Sequence, residues 1–130
     1  MVNTSLQKAV FLDRDGVLVR SIVKNGKPFA PRVLKDFKIY KSSKKLINKF
    51  VLSKFKVFVI TNQPDVGRGL IKKETLKKMH KSLKKNIKIN KIFTCIHKPE
   101  KKCKCRKPSP EIIFKAAKLW LSGSKDVTLW

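Results

Sequence analysis

The sequence predicts an α/β fold: a single domain built on a Rossmann-like parallel sheet in three layers, with helices on both faces. Three observations lead there. Two short runs rich in β-branched and aromatic residues, 9–12 and 56–61, stop abruptly at polar residues, as buried strands do when they deliver side chains to a sheet edge. Segments with apolar residues at helical spacing alternate with these runs, which implies parallel pairing through right-handed crossovers. At 130 residues the chain has room for one core, and an apolar share of 42% argues against disorder.

The elements follow in order. The first strand, 9–12, runs into Asp13-Arg14-Asp15-Gly16, where two carboxylates stand two residues apart and the glycine frees the chain to turn. Segment 17–38 carries Asn25-Gly26 and two prolines, so it is expected to be an irregular excursion or small hairpin over the carboxylate end of the sheet. Ser42 and Ser43 are candidate caps for a helix bearing Leu46, Ile47, Phe50 and Val51. The second strand ends at Thr61-Asn62-Gln63, and Val66-Gly67-Arg68-Gly69 after it is expected to be a flexible loop. A helix over about 72–86 turns Leu76, Met79 and Leu83 inward and its lysines outward. A third strand spans 89–94. Ser109-Pro110-Glu111 has the cap, first-turn proline and first-turn acid of a last helix, and a fourth strand is expected at 127–130.

Lys and Arg total 33 against 8 acids, a formal net charge of +25. Such a balance raises nucleic acid, a membrane surface or small anions as partners. The lysines are nevertheless spread through almost every segment, which reads as compositional bias and discounts the charge as evidence for a nucleic-acid groove. Three cysteines do not make a disulfide framework, and their clustering within eleven residues points to a metal in a reducing compartment. The 9–12 run is far too short for a signal peptide or membrane span, so the sequence places the protein in the cytoplasm, off the membrane, as a monomer.

Four groups carry chemistry. Asp13 and Asp15 facing one spot would repel each other unless a cation sits between them or they share a proton; an ordinary Asp-Gly turn is the bland alternative. The Thr61 hydroxyl, with backbone N–H groups of Asn62 and Gln63 left free by the turn, suits a phosphate oxygen. Cys95, His97, Cys103 and Cys105 match a closed structural zinc site, whose task would be to fold a loop with almost no apolar residues. Arg106 and Lys107 follow at once and could neutralise a bound phosphate, or could be two more surface cations. His80, on a helix face, is expected to be structural or solvent-exposed.

Together, Asp13-Arg14-Asp15-Gly16-Val17, Thr61-Asn62-Gln63 and Cys105-Arg106-Lys107-Pro108 resemble the first three motifs of haloacid dehalogenase-type phosphatases. The zinc pattern is similar to the group of D-glycero-D-manno-heptose 1,7-bisphosphate phosphatase, with histidinol-phosphate phosphatase its relative. The resemblance implies that Asp13 attacks phosphorus to form an aspartyl-phosphate while Asp15 exchanges protons with the leaving group and with water. It implies Mg2+ at Asp13 and Asp15, Zn2+ at Cys95, His97, Cys103 and Cys105, phosphoryl oxygens held by Thr61, Asn62, Gln63 and Lys107, and substrate held by Arg106. The zinc loop at 95–105 and the 17–38 excursion would wall the pocket in place of a large cap domain. A fourth motif, Gly-Asp followed by a further Asp, is expected where the sequence stops, and Asp126 precedes the last strand and does not replace it. The expectation is therefore a C-terminally truncated domain with weakened magnesium binding. A sugar-phosphate phosphatase is the leading function, beside a catalytically silent remnant and an anion or nucleic-acid binder.

Overall fold

The computed structural model describes residues 8–121. Strands β1 (Lys8–Leu12), β4 (Phe55–Asn62) and β5 (Lys91–Cys95) form a parallel sheet in the order β1-β4-β5. The register sets Lys8 opposite Phe55 and Thr61 opposite Thr94, so the three strands point their C-terminal ends to one edge. Helices α1 (Lys41–Leu52) and α3 (Lys73–Asn86) are the two crossovers. Alternation along β4 divides the core: Val57 and Val59 pack with Ile47 of α1 and with Met79 and Leu83 of α3. Phe58 and Ile60 face the other way, onto Ile112 and Ala116 of α4 (Glu111–Leu121). The parallel sheet with helices on both faces expected from the sequence is therefore the observed architecture. Among the described residues no helix is long and apolar enough to cross a membrane.

The excursion contains the hairpin that Asn25-Gly26 suggested. Strands β2 (Ile22–Lys24) and β3 (Lys27–Phe29) pair antiparallel, and the two turn residues take φ of 51° and 73°. The hairpin leaves the sheet through Gly16, whose φ of 84° is one that a side chain would resist. Backbone bonds from Leu18 and Val19 to the Arg14 carbonyl, and from Gly16 to the Val19 carbonyl, then tie the turn shut.

Local details differ from expectation. Helix α1 starts at Lys41 without a side-chain cap, and Ser43 lies inside it. Its buried hydroxyl is 3.1 Å from both the Val17 and Leu18 carbonyls, so the residue fastens the turn after the carboxylates instead of capping the helix. The segment expected to be a flexible loop begins as a short helix, α2 (Pro64–Gly67), with Arg68 N–H on the Pro64 carbonyl. Strand β5 starts two residues late because Asn90 closes the sheet end in its own way: its side-chain oxygen accepts from Val57 N–H and its N–H donates to the Val57 carbonyl. The fourth strand expected at 127–130 and Asp126 lie outside the described residues.

Ser43→Ala removes the hydroxyl donor shared by the Val17 and Leu18 carbonyls, of which the Leu18 carbonyl keeps the Tyr40 N–H. The variant should lose about 1–2 kcal/mol in urea unfolding, and an unchanged midpoint would show that the fastening carries no stability.

Candidate active site and metal cluster

The carboxylates lie just past the end of β1, Asp13 one residue and Asp15 three residues beyond Leu12. The Asp13 side chain is about half exposed, at 48%, and its Oδ1 accepts from Lys107 Nζ at 2.6 Å and from Arg14 N–H at 2.9 Å. Asp15 is more enclosed, its side chain 18% exposed. Arg14 grips it as a fork, Nε to Oδ1 at 3.0 Å and Nη2 to Oδ2 at 3.1 Å, while Gln63 Nε2 donates to Oδ2 at 2.8 Å.

Arg14 itself is wholly buried, a role the sequence did not suggest for it. Its guanidinium lies 5.4 Å from the centre of the Phe37 ring, and its third corner, Nη1, is 3.1 Å from His80 Nε2. Burial pushes the guanidinium down from its usual value and Asp15 pulls it back, from a starting point high enough that it stays charged. An arginine has no lone pair to offer, so His80 must accept. Burial, reinforced by Arg14 and Lys84, pushes the imidazole down to about 3, and it is neutral at physiological pH.

The residues at and just past the end of β4 serve these two centres. Gln63 Nε2 also reaches Thr61 Oγ1 at 2.8 Å, leaving the Thr61 hydroxyl hydrogen for another acceptor. The Gln63 N–H, expected to be free for a phosphate, is instead committed to the Cys95 carbonyl at 2.6 Å because it continues the sheet ladder. Asn62 uses both ends of its amide on the Lys107 backbone, Nδ2 to the carbonyl at 3.2 Å and Oδ1 from the N–H at 3.0 Å. It therefore sets where Lys107 begins. Arg106 buries Nη1 without a hydrogen-bond partner among the described residues.

Cys95 Sγ, His97 Nδ1, Cys103 Sγ and Cys105 Sγ lie within 4.8 Å of one another, and the three cysteines are free thiols. A tetrahedral site with bonds of about 2.3 Å separates its sulfurs by roughly 3.7 Å. The Cys95–Cys103 and Cys103–Cys105 edges, 3.3 and 3.6 Å, come near that value, and Cys95–Cys105 is shorter at 2.7 Å. Desolvation pushes the Cys95 and Cys105 thiols up, a cost that a bound soft dication reverses. The donor set fits such an ion. Gly67 lets α2 approach this loop closely, because a Cβ there would stand 2.6 Å from the Ile96 carbonyl oxygen. A hard ion would find oxygen ligands at the other centre: the exposed side of the Asp13 carboxylate, and the Asp15 carbonyl, which accepts none of the turn's hydrogen bonds.

A family model described as polynucleotide kinase 3 phosphatase matches residues 8–126. A probable D-glycero-D-manno-heptose-1,7-bisphosphate 7-phosphatase of Thermoplasma volcanium is 34% identical over 106 residues, covering 78% of this chain and 68% of that protein. A D-glycero-beta-D-manno-heptose-1,7-bisphosphate 7-phosphatase of Helicobacter pylori is 31% identical over 126 residues, covering 91% and 67%. The crystal structure of D,D-heptose 1,7-bisphosphate phosphatase from B. bronchiseptica, complexed with magnesium and phosphate, superposes with a TM-score of 0.73 at 27% identity over 88% of this chain and 64% of that one. The chain thus spans about two thirds of the length of the relatives it matches.

The depressed His80 value gives a pH prediction. The unfolded imidazole takes up its proton near its ordinary value and the folded one only near 3, so the unfolded state binds more protons in between. Stability should fall as pH drops from about 6.5 towards 3. His80→Gln should flatten that part of the melting-temperature profile, and an unchanged slope would remove His80 as its source.

Proposed function

The chain belongs to the family described as polynucleotide kinase 3 phosphatase, within the haloacid dehalogenase-like phosphatases, and on that premise we propose that it removes a phosphate from a phosphorylated sugar, D-glycero-D-manno-heptose 1,7-bisphosphate at its 7-phosphate. What carries this proposal is the convergence at one sheet edge of Asp13, Asp15 held by Gln63, and Lys107 Nζ 2.6 Å from Asp13. Three loops, from the ends of all three parallel strands, supply them.

In this reading Asp13 attacks phosphorus with one carboxylate oxygen, the bond from phosphorus to the sugar oxygen breaks, and Asp15 gives the departing oxygen a proton. Asp15 then takes a proton from the water that attacks the aspartyl-phosphate, releasing phosphate and restoring Asp13. Lys107 reduces the repulsion between the Asp13 carboxylate and an incoming dianion. The remaining Thr61 hydrogen meets a phosphoryl oxygen, and the Arg106 guanidinium meets the substrate through nitrogens other than the buried Nη1. Asn62 contributes by fixing Lys107. The Asp13 carboxylate and Asp15 carbonyl would hold magnesium, which supplies further charge neutralisation at the phosphate when bound.

A second phosphate is supported by a cleft of about 930 Å³ between α2 and the cysteine loop, lined by Arg68, Lys73, Lys98 and Lys101 with Glu100. The cysteine loop, 95–105, is a structural zinc loop in this reading. His97 and the three cysteines fill all four positions and leave none for a reacting water.

Asp13→Asn should lower magnesium-dependent phosphate release to the level of the uncatalysed reaction; release equal to that of the unsubstituted chain would end the proposal. For the loop, metal analysis after gel filtration should find about one zinc per chain. Chelation should expose the loop to proteases, and a metal-free chain with the same protease resistance would remove zinc from the structure.

A further inference from the structure

We propose that His80 is a positioning residue for Asp15, acting through Arg14; this deepens the phosphatase reading and rests on the role of Asp15 in it. Two of the three guanidinium nitrogens of Arg14, Nε and Nη2, bond to Asp15. A fork held along one edge can still slide and tilt. The bond from Nη1 to His80 Nε2, 3.1 Å long, anchors the opposite corner, and the Phe37 ring covers one face. Three corners and a face then define the plane, and the plane defines where the Asp15 carboxylate can lie.

The anchor is rigid because His80 sits within α3, between Met79 and Leu83, both wholly buried in the core. A donor-only guanidinium demands a lone pair at Nε2, so the imidazole carries its hydrogen on Nδ1. Lys77, Lys81, Lys84 and Lys91 line a cavity of about 440 Å³ beside it, with no carboxylate in its lining to draw Arg14 away from Asp15. The order of contact is thus α3, His80, Arg14, Asp15. A displacement of the last group by about 1 Å costs on the order of 10²-fold in a reaction that depends on its alignment.

The test compares the unsubstituted chain, His80→Leu and His80→Gln on the heptose bisphosphate and on p-nitrophenyl phosphate. The second substrate releases an acidic phenol that needs little help from a proton donor, whereas a sugar alkoxide needs it. If His80 aligns Asp15, His80→Leu should lower kcat/KM on the sugar phosphate by about 10–100-fold. It should change kcat/KM on p-nitrophenyl phosphate little, and His80→Gln, whose side-chain oxygen can accept from Nη1, should recover most of the loss. Equal losses on both substrates, no loss, or no recovery with glutamine would overturn the inference. If the unsubstituted chain acts on neither substrate, the phosphatase reading fails separately, and the 15N resonance of the Arg14 Nε–H decides. Faster hydrogen exchange at that group in His80→Leu, and native protection in His80→Gln, would sustain the anchoring, and identical exchange in all three chains would overturn it.

Discussion

A guanidinium cannot be buried alone, and much of the site follows from that constraint. Arg14 has no measurable exposure, and an unpaired charge in such a place would cost several kcal/mol. The adjacent Asp15 satisfies it along one edge, and His80 and Phe37 complete its surroundings. The turn after β1 is shaped to allow this: Arg14 points into the core while its own carbonyl collects the N–H groups of Leu18 and Val19. The same turn leaves Asp13 half outside, beside Lys107. One residue of inward-facing charge thus separates two carboxylates of the same motif into an enclosed one and an open one.

The other loops are held by one another more than by apolar packing. Asn62, at the end of β4, takes both backbone polar groups of Lys107, and Gln63 joins Thr61 to Asp15. Asp65 receives Arg32 from beyond the hairpin and Arg68 from the end of its own loop. The cysteine loop between β5 and α4 has little apolar surface of its own, apart from Ile96 packed with Ile71 and Leu76. Its three thiols and one imidazole form a cluster that could close it around an ion, and Gly67 lets the neighbouring helix sit against it. Positions on this edge depend on a polar network, and networks of this kind lose more than one bond when a member is removed.

The sheet and its helices were legible because their signals are local and periodic. Strand β4 alternates between two apolar faces, and α3 buries Leu76, Met79 and Leu83 at helical spacing. The cysteine cluster was legible because its ligands lie within eleven residues. What escaped depends on partners far away in sequence. His80 meets a residue 66 positions earlier, and Asn62 one 45 positions later, so neither bond leaves a trace in local spacing. Ser43 looks like a cap in the sequence because a serine near a helix start has the same chemistry whether it turns to its own helix or across to another loop. Gly67 and Gly69 suggested flexibility, whereas Gly67 serves a close approach and Gly69, at φ 77°, a turn.

The charge imbalance bears on the site more than on the fold. Of the chain's 8 acids, Asp13, Asp15 and Asp65 stand at the sheet edge in ion pairs with Lys107, Arg14, Arg32 and Arg68. With 33 cations in the chain, only four of them in these pairs, self-repulsion works against compactness, and the field outside the edge draws anions inward. Carboxylates there would ordinarily repel a phosphate dianion. Here each is already matched by a cation, so under the proposed function the carboxylates do not oppose that approach. Salt weakens the attraction of the distant lysines over about 8–10 Å but affects the contact pairs far less. Under the proposed function the spread lysines act on a phosphate's arrival, and the paired Lys107 and Arg14 on what happens after it.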